Sequence, residues 1–401
     1  MKRKIVSAIK KPIEIFLKTE ASSGIVLAIC ALIAMALANS AWAPQYFNLL
    51  MFKIAGLNIQ QWINDALMAI FFFVIGMEIK KELIVGELRS PQQAALPIAA
   101  ALGGMIFPAL IYHFFNQQAP DAHGWGIPMA TDIAFALGVL TLFGKKVPLS
   151  LKIFLLAIAI VDDLGAILVI AFFYTSKING QGLGIAALMI GLMVLIKEMG
   201  IKSYLAYIII GSIAWFGILL SGVHATIAGV VIGLITPLTY QVNKDSNKTY
   251  SPLEELVKYL HPWVSYGIMP IFALANAGIN MTGTDISLLI QNPIHQGVAL
   301  GLVFGKPVGI ILFSALAVAF GFAKLTSGLK WKHVIATGFL AGIGFTMALF
   351  ISSLALIPEQ EIYSKTGIVL GSLVSAILGS IFLAASLYKS DSSFATKQSN
   401  K

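Results

Sequence analysis

The 401-residue chain is 58% hydrophobic and only 11% charged, whereas a soluble domain carries about 25% charged residues. That balance excludes an ordinary soluble enzyme or binding domain and points to a polytopic membrane protein. The net charge of +9 would suit a nucleic-acid partner in a soluble protein; here it reads as the basic excess that orients membrane loops, and no nucleic-acid role is expected.

Residues 1–20 are basic and amphipathic, with Ile5, Ile9, Ile13, Phe16 and Leu17 on one stripe, and are expected to form a helix on the inner membrane surface. A signal peptide is the competing reading, but this charged lead-in is longer than a usual n-region, which favours an uncleaved first helix. Apolar stretches follow at 22–40, 60–80, 92–116, 124–144, 150–174, 181–199, 203–219, 223–241, 262–280, 293–320, 333–353 and 362–386. They predict an all-α transmembrane domain of twelve helices spanning 1–401, with 387–401 as a tail. Cys30, the single cysteine, lies in the first of them and reads as a small core hydrophobe. Between the first two, the loop from Tyr46 to Gln60 is β-capable and punctuated at Gly56. A small β-hairpin is expected there, with an irregular loop as the alternative, and an exposed hairpin edge invites pairing with a second copy.

The topology can be checked by counting. With the N-terminus inside, 23 Lys and Arg fall in inner segments and 3 (Lys53, Lys177, Lys365) in outer ones, leaving Lys306 within a span. So strong a bias supports twelve helices with both termini in the cytoplasm.

Charges inside spans carry the functional signal. The second span ends in Gly76-Met77-Glu78-Ile79-Lys80-Lys81-Glu82. Glu78 and Glu82 share a face at i,i+4, with Lys81 adjacent. The cluster reads either as solvated helix-end charges or as a negative funnel that attracts cations and senses pH. Asp65, nearer the outer end of that span, receives no role. In span four, Asp132 follows Gly124-Trp125-Gly126-Ile127-Pro128-Met129-Ala130-Thr131, where glycine and proline can interrupt the helix and Thr131 adds a hydroxyl oxygen. In span five, Asp162 lies 10 residues from Lys152 and Asp163 lies 14 from Lys177, so both sit roughly 15–20 Å from either end, near a bilayer midplane. One such charge costs about 2.5–3.5 kcal/mol on translocon-derived scales. Lys306, in Gly305-Lys306-Pro307 of span ten, lies at similar depth.

A structural ion pair such as Asp162–Lys306 accounts for one acid and leaves Asp132 and Asp163 unexplained. Intramembrane ionisable residues mark ion and proton pathways, so transport is the expected function. Adjacent helix residues point about 100° apart; one of Asp162 and Asp163 can face an ion while the other reaches Lys306. Span eleven carries a second glycine-rich interruption, Gly338-Phe339-Leu340-Ala341-Gly342-Ile343-Gly344-Phe345-Thr346-Met347-Ala348. Spans four and eleven are the middle members of two three-helix units, the expected place for broken helices in an inverted repeat. If both break at midspan, Asp132 is placed to offset the positive helix ends and Lys306 the negative ones. His224 and His261 begin spans eight and nine and read as helix-end residues whose imidazoles titrate in a useful range. Histidine and cysteine with zinc-like spacing and a phosphate loop are both missing from the sequence, so no cofactor, no ATP drive and no enzyme activity are expected.

At Ala130-Thr131-Asp132, Val161-Asp162-Asp163-Leu164-Gly165, Ser221-Gly222-Val223-His224-Ala225-Thr226, His261-Pro262-Trp263, Gly305-Lys306-Pro307 and Gly342-Ile343-Gly344-Phe345-Thr346-Met347, the chain closely resembles the NhaA family of bacterial sodium/proton antiporters. The match runs nearly end to end. That family is itself a standard example of inverted-topology repeats. The resemblance implies twelve helices with spans four and eleven broken and crossing, and a homodimer joined partly through the hairpin. It implies Asp163 as the main ion and proton carboxylate, Asp162 as its partner within reach of Lys306, and Thr131 and Asp132 flanking the site. It also implies alkaline activation linked to Glu78, Lys81, Glu82 and the start of span nine. There the chain departs from the pattern: Val257 stands where the family often has glutamate and Lys258 where it often has histidine, while Glu254 and Glu255 lie within a turn upstream.

The expected mechanism is alternating access with competition in a bacterial inner membrane. Deprotonated Asp163 and Asp162, with the Thr131 oxygen, bind Na⁺ or Li⁺, hard cations that prefer oxygen ligands. Protons from the other side neutralise the acids and displace the cation. A sodium-coupled symporter of a related fold is the alternative, disfavoured by the protonatable lysine beside the acids. An intramembrane aspartyl protease needs two aspartates from different helices sharing a proton, whereas Asp162 and Asp163 diverge on one helix. A channel, the third rival, would not give flux that saturates and collapses a pH gradient on adding Na⁺.

Overall fold

The computed structural model describes residues 22–118, 121–175, 178–201, 203–238, 240–243 and 246–398; the surface helix expected over 1–20 lies outside them. The described chain is helical because a bilayer offers no water to the backbone, so each span must satisfy its own N–H and C=O groups. Seven described helices are long and apolar enough to cross a membrane, or nine when each of two bent pairs counts as one span. Each of the twelve expected stretches holds helix, yet three fall short of that test, so the count of twelve is not reached by length and apolarity. Leu205–Ser221 and Thr226–Ile235 are too short, and the stretch at 262–280 is the second half of a helical run from Pro252 to Asn276. Thr226–Ile235 ends early because Thr236 precedes Pro237 and is pushed to ψ 128°, as pre-proline residues are.

The chain divides into two compact units. The first comprises the described residues up to Ala43, Ser90–Ala166 and those from Asn276 onward; the second comprises Pro44–Arg89 and Ile167–Ala275.

In the first unit, helix Pro91–Phe115 packs along Lys306–Ala319. Side chains do not separate the two backbones: a Cβ on Gly103 would lie 2.1 Å from the Gly309 carbonyl oxygen, and one on Gly309 2.0 Å from that of Gly103. Small residues permit this approach, and dispersion across it replaces the hydrophobic drive that lipid does not supply. Gly305 likewise sits against Pro108, where a Cβ would come within 2.7 Å of the Pro108 Cα, which fixes the height of the next residue, Lys306. Gly301–Gly305 is one turn of π-helix. The Pro307 ring would crowd the carbonyl four residues back in a regular helix, and the widened turn relieves it. Leu137, Leu151, Leu155, Ile158, Ile310 and Leu340 form part of the core below.

In the second unit, Gly229 and Gly233 bring Thr226–Ile235 onto the helical span Ile59–Ile84, with a Cβ on either meeting the carbonyl oxygen of Ala69 at 2.0 Å or Phe73 at 2.5 Å. Trp62 and Trp215 stack at 6.2 Å, and the Trp215 indole donates to the Asp65 carbonyl oxygen at 3.2 Å. The expected hairpin is present but smaller than its loop: Lys53–Ile54 pairs with Leu57–Asn58. Ala55 and Gly56 turn it with φ of 50° and 89°, the double positive φ of a type I′ turn. The first half of that loop is instead a helix, Ala43–Met51. A second hairpin, unforeseen, pairs Tyr240–Asn243 with Ser246–Tyr250.

Candidate functional site

The first unit gathers the intramembrane charges around two interrupted spans. Span four is a 3₁₀ segment, Asp121–Met129, then three non-helical residues, then helix Ile133–Leu142. Pro128 and the glycines before it suit a tight 3₁₀ turn better than a long α-helix. Span eleven is Trp331–Ala341, a break at Gly342-Ile343-Gly344, and Phe345–Ala355, bent by 47°. The interruptions meet: the Asp132 amide donates to the Ile343 carbonyl oxygen at 2.6 Å.

Each break leaves helix ends whose amides or carbonyls lack intrahelical partners, and polar side chains satisfy them. Asp132 caps two helices at once. One carboxylate oxygen accepts the Phe135 amide at 3.1 Å; the other accepts the Thr346 amide at 3.0 Å and the Thr346 hydroxyl. Ser372 Oγ accepts the Gly344 and Phe345 amides, both at 3.2 Å. A carboxylate at two helix N-termini is favoured by both dipoles. Asp132 thus sits at the N-terminal ends of two half-helices, Ile133–Leu142 and Phe345–Ala355.

On the other side, Lys306 Nζ donates to Asp162 Oδ2 and to Thr131 Oγ1. Thr131 Oγ1 lies 2.8 Å from the same Asp162 oxygen and 2.9 Å from the carbonyl oxygen of Ala341, the last residue of its half-helix. One hydroxyl proton can serve only one of these acceptors at a time. Thr131, rather than Lys306 directly, thus reaches the negative helix end. Lys306 and Thr131 are 0% exposed, Asp162 1% and Asp163 3%, so this charge group is sealed from solvent. Asp162 Oδ1 is buried without a hydrogen-bond partner, and Asp163, one residue on, is near enough to act on the Lys306 charge.

Asp162, Asp163, Thr131, Asp132 and Lys306 thus come together, in two groups with different occupations. Asp132 is spent on helix ends. Asp162 and Thr131 are held by the lysine, so an ion taking their oxygens must displace Lys306 from them. Among the described residues no three acids, histidines or cysteines converge as a metal-holding group. Thr346 lies in the span-eleven motif without an expected role, and Ser372 carries no motif that points to it. A hydroxyl in the first turn after a glycine break was the available signal for Thr346.

The residues expected to sense pH lie in the second unit and only partly assemble. His261 Nε2 is 4.0 Å from Glu78 Oε1, and Lys81 Nζ is 3.3 Å from Glu254 Oε1. Glu254 therefore takes up a contact one turn before Val257. Glu82 folds over Gly86, where a Cβ would strike its carboxylate at 2.0 Å. Lys80 holds the end of helix Thr226–Ile235 through the carbonyl oxygens of Leu234, at 2.8 Å, and Thr236, at 2.7 Å. His224 is bonded to Thr226 at 3.2 Å at the opposite end of that helix, about 15 Å away at the helical rise. His224 is not part of the Glu78–His261 group.

Apolar spans with buried acids and a lysine at crossed, interrupted helices define an integral membrane ion transporter rather than an enzyme. Residues 14–383 match the family described as Na⁺/H⁺ antiporter 1, and the chain belongs to that family. Proteins named Na(+)/H(+) antiporter NhaA from Vibrio parahaemolyticus serotype O3:K6, Vibrio alginolyticus and Aliivibrio salmonicida are each 48% identical to it over 378 residues, covering 93% of this chain and 97% of each relative.

Proposed function

We propose that the chain exchanges Na⁺ or Li⁺ for protons across a bacterial inner membrane, with both termini in the cytoplasm and the net effect of exporting sodium. The observation that carries this reading is the sealed Lys306–Asp162–Thr131 group with Asp163 beside it, at the crossing of two interrupted spans. A carrier that binds either a cation or protons needs a buried acid at the crossing and a way of keeping the vacated site neutral. Asp163 supplies the first, as the carboxylate that carries ion and proton in turn. Lys306 supplies the second: it holds Asp162 while no ion is bound and yields it when Na⁺ takes the Asp162, Asp163 and Thr131 oxygens. Na⁺ is the cargo and no resident cofactor is needed.

If two groups titrate for each ion, more protons than sodium ions move and transport is electrogenic, so it draws on membrane potential as well as ΔpH. Glu78, Lys81, Glu82 and His261 form the pH-responsive cytoplasmic mouth, and two copies pair partly through the Lys53–Asn58 hairpin. A symporter is not supported by the family assignment. The test is a vesicle assay with an acidic interior and a ΔpH dye. Added Na⁺ or Li⁺ dissipates the gradient and K⁺ does not; equal responses to all three would overturn the reading.

A further inference from the structure

Two helices of the first unit, Leu149–Phe173 and Trp331–Ala341, begin side by side. The segments leading into them, 143–152 and 320–333, pack together: Val147, Leu151, Ala323 and Leu329 belong to one buried cluster, and a Cβ on Gly328 would lie 3.2 Å from Ser150 Oγ. The two segments hold six lysines, Lys145, Lys146, Lys152, Lys324, Lys330 and Lys332, and no Asp or Glu. Lys146, Lys324 and Lys330 are exposed, and Lys332 Nζ donates to the Ser386 carbonyl oxygen. Neither helix has an acid in its first turn, so the positive helix ends add to the lysines where an acid would ordinarily offset them. The chain beyond Leu387 brings Lys389, Lys397 and Lys401 against Asp391 alone. The second unit treats its lysines differently: Lys81 lies 3.3 Å from Glu254, and Lys197 3.5 Å from Glu198. A basic excess on membrane loops accounts for lysines in both units. It does not account for one set having acids beside it and the other having none.

We propose that this end of the first unit is a docking surface for anionic phospholipid, whose phosphate headgroups lie among the lysines. Aromatic side chains favour lipid over a soluble phosphate. Phe320 and Phe322 are 72% and 76% exposed with their rings 6.3 Å apart, and Trp331, 38% exposed, stands between Lys330 and Lys332. Aromatic rings beside lysines at the ends of apolar spans suit the membrane–water interface: the rings meet the acyl boundary while the ammonium groups reach the headgroups. A soluble anion accounts for the lysines and leaves the exposed rings unexplained. Clusters of about four to eight basic residues next to a span select anionic headgroups, and such attraction is screened by salt. In the proposed orientation this is the cytoplasmic end. The inference needs only a membrane-embedded chain and holds whichever ion crosses.

The test uses the full-length protein in phosphatidylcholine vesicles containing a small fraction of brominated phosphatidylglycerol or, at the same fraction, brominated phosphatidylcholine, and reads quenching of tryptophan fluorescence. The surface predicts stronger quenching by the anionic lipid. That excess is lost in Trp331→Phe, which removes the reporter, and in Lys324→Gln with Lys330→Gln, which removes charge and keeps the reporter. High salt shrinks it in the parent protein, glycerol phosphate in solution does not displace it, and Lys197→Gln in the second unit leaves it in place. Equal quenching by the two lipids, an excess that survives Trp331→Phe or the double lysine change, or displacement by soluble glycerol phosphate overturns the proposal.

Discussion

Lys306 and Asp162, 144 residues apart in sequence, meet as an ion pair whose two side chains are both fully buried. Such a pair is costly to assemble and costlier to break, because losing one partner leaves the other charge stranded; removal of one partner typically costs about 3–5 kcal/mol. Lys306→Met should therefore lower the thermal unfolding temperature sharply in detergent. The double variant Lys306→Met with Asp162→Asn, which strands no charge, should recover most of the loss, and the two single effects should be far from additive.

Asp132 ties the amide of Phe135 to that of Thr346. Asp132→Ala removes both caps, each worth about 1 kcal/mol. Hydrogen exchange should accelerate in peptides covering 133–136 and 345–348 together. Protection lost in only one of them would mean the two half-helices are capped independently.

The Gly103–Gly309 contact predicts a steep position dependence. Gly309→Val drives a side chain into the Gly103 carbonyl and should abolish folded protein, measured as monodisperse yield. Gly191→Ala is the control: a Cβ there meets nothing within 4 Å, and replacing a mid-helix glycine should stabilise by about 0.5–1 kcal/mol.

The Glu78–His261 contact is an ion pair only while the imidazole is protonated. Losing that proton removes the attraction to Glu78. If this contact restrains activity at low pH, Glu78→Gln should move alkaline activation toward acid, read as the pH giving half-maximal Na⁺-driven gradient collapse. His224→Ala, a change at the far end of the neighbouring helix, should leave that midpoint in place.

Much of the site was legible because charges at one depth in apolar spans have few explanations. Asp132, Asp162, Asp163 and Lys306 stood out on cost alone, and Gly126, Pro128, Gly342 and Gly344 marked the interruptions. How the interruptions are satisfied was not legible. Asp132 serves Phe135 and Thr346 because the broken ends cross, and crossing is a tertiary fact with no local pattern. The loop after the first span was read for β-forming residues, and Ala43–Met51 became a helix because Tyr46 and Leu50, at i,i+4, bury one face. The second hairpin did leave a signal, a run of Asn, Lys, Asp and Ser turn-formers between Tyr-Gln-Val and Lys-Thr-Tyr, hidden at the edge of a span extended too far.

The central claim is that Asp163 carries the ion and the proton while Asp162 answers to Lys306. It is tested most directly by purified Asp163→Asn protein in liposomes with an imposed acidic interior and the membrane potential clamped. The account predicts folded protein with thermal stability near that of the parent, because the Lys306–Asp162 pair is kept, and no gradient collapse on adding Na⁺ or Li⁺. Sodium-driven collapse at the parent rate in that variant would contradict it.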